Sequence, residues 1–195
     1  LYMSDALKET PLTFVVGLPR SATSWLGQIL GSHPDHAYLN EPDVVLKGDY
    51  PHTSDEEHPE ARAHLESLID LHHPRAAGHR PVLPKSYRGP IAHRTRQAII
   101  YGLKACERFI PALQDTSIPA LCDMYGVPRV IKSVSMLGRA RAWNAAAPHA
   151  KWVLILRHPC GHAHSTRRGQ SSGLLPGNIP LGFEECPVAA KYDIT

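Results

Sequence analysis

At 195 residues, 43% of them hydrophobic, the chain is long enough to bury one sizeable core and suits a single domain over residues 1–195. Its formal net charge of +3 falls short of a nucleic-acid-binding balance, yet it accommodates a polyanionic small ligand. No apolar run approaches a membrane span, the N-terminal LYMSDALKETP lacks a signal-peptide core, and four cysteines lie scattered without a CxxC pair, so a cytoplasmic setting with reduced thiols is expected.

The first element is a β-branched apolar run, LTFVVG, at residues 12–17, which predicts a buried strand broken by Gly17 and Pro19. Trp25, Leu26, Ile29 and Leu30 then recur at helical spacing, so a helix opens near Ser21 to Thr23 and stops before Pro34. Strand, tight loop and helix N-terminus together make an anion cradle, because the first amides of a helix lack intrahelical partners and its dipole favours negative charge. Laid on G-x-x-x-x-G-K-[ST], Gly17 takes the first glycine, but Ala22 falls on the second and Thr23 on the lysine. The clamping lysine of an ATP site is missing, and the loop offers Arg20, Ser21, Thr23 and Ser24 in its place. An ordinary strand-to-helix turn with a capping serine has the same pattern.

Glu41, in Leu39-Asn40-Glu41-Pro42, follows the loop helix and a short extended segment that is expected to return the chain to the same crevice as the loop. Residues 49–60, rich in Asp, Glu, His and Pro, suit a surface loop. Ala61, Leu65, Leu68, Ile69 and His72 then mark a short amphipathic helix entered at Pro59. Residues 72–90 are proline-rich, basic and aperiodic, and are expected to form part of an acceptor-binding lid. A long helix is predicted over residues 91–115, kinked at Pro111. Two further strands, RVIKS at 129–133 and KWVLILR at 151–157, flank a helical stretch at 136–147. Strands alternating with helices predict a three-layer α/β fold, a parallel sheet with helices on both faces. Ligands of such sheets sit beyond the strand C-termini, which here carry Gly17 with its loop, Lys132-Ser133, and Arg157.

The loop sequence LPRSATSWL resembles the 5′-phosphosulfate loop of sulfotransferases that use 3′-phosphoadenosine 5′-phosphosulfate (PAPS), and is most similar to the P-R-S-G-T-T version of tyrosylprotein and many bacterial sulfotransferases. It departs from that version at Ala22, where glycine is usual. A second block, Arg157 followed by Ser165 on the next helix, resembles the 3′-phosphate motif of the same family, with His158 in place of the commoner aspartate. The resemblance implies a P-loop nucleoside triphosphate hydrolase-like core that binds PAPS through Arg20, Ser21, Ala22, Thr23, Ser24, Trp25, Arg157 and Ser165. It also implies that Arg20 and Lys132, the latter in an I-K-S strand end, stabilise the transferring group, and that Glu41 is the base for an acceptor hydroxyl. The acceptor class stays open among carbohydrate, small molecule and tyrosyl peptide, with no nucleic acid and no metal expected. Relatives continue past the second motif to supply adenine contacts, so a domain lacking its C-terminal part is expected. Two alternatives stand beside this reading: a P-loop kinase, against which the absent loop lysine speaks, and a non-catalytic nucleotide-binding module or inactive fragment. Thirteen histidines include His162 and His164, but alternate positions at a helix start do not face one direction, so no ligand set is forced.

Overall fold

The computed structural model describes residues 10–48, 58–106 and 126–173, together with Leu7, Ile118, Leu121 and Asp123. Chain order runs β1 (Leu12–Gly17), α1 (Thr23–Ser32), β2 (Ala37–Asn40), α2 (Pro42–Val45), α3 (Glu60–Ile69), α4 (Pro74–Ala77) and α5 (Pro90–Cys106). It continues with β3 (Arg129–Ser133), a 3-10 turn (Met136–Arg139), α6 (Ala140–Ala146), β4 (Lys151–Ile155) and α7 (Pro159–Ser171). The four strands form one sheet in the order β2-β3-β1-β4, and every pairing is parallel. With β3 on one side and β4 on the other, β1 delivers its C-terminal loop to the middle of the sheet edge where ligands of parallel sheets collect.

Alternation along the strands sends side chains to two covered faces, as the three-layer α/β reading requires. One face carries Phe14, Leu39 and Ile131, which join Leu65, Met136 and Trp143 in the main core. There the rings of Phe14 and Trp143 lie 5.4 Å apart, and those of Phe14 and Trp152 4.6 Å apart. The other face carries Tyr38 and Lys132 and receives α1. Close approach of α1 depends on Gly31, because a Cβ there would stand 2.7 Å from the Cβ of Tyr38.

Several element boundaries differ from the sequence-based expectation for local reasons. Strand β4 ends at Ile155, not at 157, because Gly17, its last partner on β1, pairs with Ile155 and leaves Leu156 and Arg157 no ladder to join. The helix expected over 136–147 opens as a 3-10 turn; Ser133 ends β3 and its hydroxyl accepts from the amides of Ser135 and Met136, tightening the chain there. His72 falls beyond the end of α3. The extended segment before Glu41 is an edge strand, β2 (Ala37–Asn40). Helix α5 is described as far as Cys106, so Pro111 and its expected kink lie outside the described residues, as do most of the 49–60 loop and the tail beyond Gly173. Among the described residues no helix is long and apolar enough to cross a membrane.

Candidate active site

Four strand ends meet in a crevice of about 440 Å³. Its lining brings together Arg20, Ala22, Thr23, Ser24 and Trp25 from the β1–α1 junction, Glu41 from the end of β2, Lys132 from β3, and Arg157 and Ser165 from the segment after β4. Pro19 and Val134 complete the wall; the sequence marks Pro19 only as a strand breaker and gives no signal for Val134, although both adjoin candidate site residues. Ser21 stands apart. It is buried and is not among the described lining residues, and its hydroxyl has no hydrogen-bond partner among the described residues.

The β1–α1 junction is shaped by backbone strain. Gly17 lies against β4 so closely that a Cβ would meet the Ile155 carbonyl at 2.7 Å. Beyond it Arg20 and Ala22 both take φ 67°, in the left-handed region. Ala22 precedes the first helical bond, from the Leu26 amide to its own carbonyl, and no side chain caps this end. The capping serine of the ordinary-turn alternative is therefore not found at this helix start. The amides of Thr23, Ser24 and Trp25 come before that first bond, in the position where a helix start receives an anion. Glu41, with φ 48°, is the third non-glycine residue at positive φ among the described residues, and all three border the crevice. Such conformations cost of order 1–3 kcal/mol each and cluster where a site must be held in a fixed shape.

Side chains tie the strand ends together. The Arg20 Nε donates to the Ser165 hydroxyl at 3.3 Å, and Arg157 Nη1 donates to the Arg20 carbonyl at 2.5 Å. The two motifs, separated by most of the sheet in sequence, are therefore in direct contact. On the other side Lys132, almost fully buried, is ion-paired to the half-buried Glu41, while the Glu41 amide donates to the Lys132 carbonyl at 2.6 Å. Three cations face one carboxylate, so the crevice is suited to a polyanion.

Beneath this pair lies a buried polar contact with no signal in the sequence pattern. The Ser133 hydroxyl donates to Asp43 Oδ2 at 2.7 Å and accepts two backbone amides, which locks the turn that follows Lys132. Burial pushes the Asp43 carboxyl above the ordinary aspartate range, the Ser133 hydrogen bond opposes this, and the Glu41 charge adds to the rise. A carboxyl raised on folding binds more protons in the native state, so its contribution to stability is full at low pH and lost as pH climbs from the ordinary value through the raised one. Asp43→Asn keeps an acceptor for Ser133 and removes that titration. Its thermal midpoint is expected to depend less on pH in that window than the parent's, and an unchanged pH profile would contradict this assignment.

An α/β fold with all-parallel strands, a strained loop at a helix N-terminus and cations at the strand ends defines a P-loop-like protein. The family model described as "Sulfotransferase family" matches residues 11–174, and the chain belongs to that family. No curated protein and no solved structure matches the chain.

Proposed function

We propose that the protein is a PAPS-dependent sulfotransferase that moves a sulfuryl group to an acceptor hydroxyl and releases adenosine 3′,5′-bisphosphate. The observation that carries this reading is the convergence, in one crevice without a loop lysine, of Arg20, Arg157 and Ser165 with the Lys132–Glu41 pair. These residues fit a donor with anionic groups at both ribose ends: Arg157 and Ser165 suit the 3′-phosphate, and the α1 amides suit the 5′ end. Arg20 sits between the two, since its side chain reaches Ser165 while its backbone forms part of the loop. Bound in this crevice, the donor supplies an SO3-like group on a phosphate leaving oxygen, and transfer of this kind asks mainly for positioning and charge stabilisation. Glu41 takes the proton of the acceptor hydroxyl as its oxygen bonds to sulfur. Lys132 places its ammonium where the bridging oxygen gains charge as the S–O bond to phosphate breaks.

Transfer of labelled sulfate from PAPS to a panel of sugar, phenol and tyrosyl-peptide hydroxyls, with a chelator present, tests the reading. Labelled product is the expected result. Stabilisation by MgATP alone, with no stabilisation by adenosine 3′,5′-bisphosphate, would refute it in favour of a kinase. Arg157→Ala is expected to weaken the bisphosphate by about 1.5–3 kcal/mol, the scale of hydrogen bonds to charged groups, which calorimetry reads as roughly a ten- to 150-fold rise in Kd. Parent-like affinity would remove Arg157 from the site.

A further inference from the structure

Helix α1 has its side chains sized the wrong way round for a helix that only supports a sheet. The residues it buries are small, Thr23, Gly27 and Gly31, and the two glycines seat it on Tyr38. Its outward stripe carries Trp25, 67% exposed, and Ile29, 46% exposed, one turn apart. Large apolar groups left against water on one stripe, beside a cavity, mark a surface that receives something.

That stripe is one wall of a cavity of about 300 Å³. Val82 and Leu83, the latter 36% exposed, line it from the segment after α4, Ile100 from α5 and Tyr38 from β2. The segment after α4 is fastened to α1 at both ends of the cavity. Lys85 donates to the carbonyls of Gly31 and His33, the Ser86 amide donates to the Pro34 carbonyl, and His79 Nε2 lies 3.1 Å from the Gln28 side-chain nitrogen. The cavity therefore stands preformed. Its charged residues are already engaged, Arg88 and Arg96 with Asp123 and Lys85 with the carbonyls just named, so its wall presents chiefly apolar and aromatic side chains.

Trp25 also borders the catalytic crevice, so the two spaces share a wall. They share a floor as well: a Cβ at Gly27 would stand 2.9 Å from the Tyr38 hydroxyl and 3.2 Å from the Lys132 Cβ, so the tyrosine of the cavity and the lysine of the crevice pack against one point of α1. The Tyr38 hydroxyl donates to Asn40, the residue before Glu41, and it keeps its proton because burial, and then the Glu41 charge, push the phenol up.

We infer that this cavity holds the body of the acceptor: a hydroxylated compound of one or two aromatic rings lies against Trp25, Ile29 and Leu83 while its hydroxyl passes Trp25 into the crevice and reaches Glu41. The inference rests on the sulfotransferase reading and names the acceptor class of that same site. A cavity of about 300 Å³ suits such a body, since an apolar cavity of about 150 Å³ admits benzene. An apolar wall retains rings by their area, whereas a bare sugar would set its hydroxyls against Ile29 and Leu83 without partners. In the transfer the acceptor oxygen bonds to sulfur, its proton goes to Glu41, and the S–O bond to the departing bisphosphate breaks.

The test holds PAPS at saturation and compares primary alcohols of similar acidity, ethanol, 2-phenylethanol and 2-(2-naphthyl)ethanol, with methyl β-glucoside as the sugar. From ethanol to the better of the ring alcohols kcat/KM is expected to rise about ten-fold or more, the scale of burying an apolar ring, and to exceed that of the glucoside. Ile29→Glu and Leu83→Glu each place a charge in the cavity wall at an exposed position. They should cut kcat/KM for the ring alcohols about ten-fold or more while the Kd of adenosine 3′,5′-bisphosphate and the melting midpoint stay at parent values; if either fails to fold, Ile29→Ala and Leu83→Ala should give a smaller loss of the same sign. Equal rates across the alcohols, a glucoside that outpaces the ring alcohols, no transfer to any of the four by protein that binds the bisphosphate, or ring-alcohol rates unchanged by substitution at both positions would overturn the inference. Absence of bisphosphate binding together with absence of transfer overturns instead the donor reading beneath it.

Discussion

Glu41→Gln is expected to slow sulfuryl transfer by about a hundred- to ten-thousand-fold, the range for loss of a positioned general base, while adenosine 3′,5′-bisphosphate binds with nearly parent affinity. The two parts of this expectation come from different features of the site. Glutamine preserves the shape and the backbone bond from residue 41 to the Lys132 carbonyl, so the left-handed turn at φ 48° is kept. What is lost is the carboxylate that stands within the crevice wall against the Lys132 ammonium. Unchanged turnover would show that another group takes the proton, and a loss of bisphosphate affinity matching the loss of rate would show that Glu41 serves the donor site.

Lys132→Met is expected to lower kcat by about a hundred- to a thousand-fold, comparable to removing one donor from a site that stabilises developing charge. Lys132 is 3% exposed and packs under α1, where its Cβ lies 3.2 Å from the Cβ position built on Gly27. Methionine retains most of that volume, and a melting curve distinguishes loss of chemistry from loss of fold. Because Lys132 and Glu41 are partners, the double substitution should cost much less than the product of the two single effects. Full multiplicativity would mean that they act independently. The contact between the two explains how a buried lysine and a half-exposed glutamate are held in one geometry: each satisfies the other.

The parts of the fold that were readable from sequence are those set by local pattern. LTFVVG and RVIKS are central strands buried on both faces; the unbroken apolar or β-branched run of the first announces this, whereas the second signals it only through Val130 and Ile131. The strand–loop–helix junction at residues 17–23 is readable because a strand, a glycine and a helix start in close succession leave few other geometries. KWVLILR was read two residues too long because hydrophobicity continues where the ladder stops; the limit is set by the length of β1, a partner remote in sequence. β2 is only four residues long, and the pattern AYLN is too short to distinguish an edge strand from an extended linker.

Within the site, residue type and spacing pointed to Arg20, Glu41, Lys132, Arg157 and Ser165, all of which border one crevice. Ser21 was grouped with them because it lies inside the motif, yet the chain turns between Arg20 and Ala22, both left-handed, and leaves its side chain buried off the wall. Side-chain direction in such a turn depends on φ values that composition does not encode. Nor did the sequence signal Asp43, a buried carboxyl that meets Ser133 from another element. Long-range hydrogen bonds of this kind arise from the sheet order, which places β2 beside β3 although α3, α4 and α5 lie between them in the chain.

The most direct measurement compares adenosine 3′,5′-bisphosphate with adenosine 5′-phosphate by calorimetry, without magnesium, in the parent and in Arg157→Ala. The parent should bind the bisphosphate at least about ten-fold more tightly, as one further charge-assisted phosphate contact warrants, and Arg157→Ala should erase most of that difference. Equal affinity of the parent for the two nucleotides would contradict the claim that the cations at these strand ends form a site for a nucleotide charged at both ribose ends.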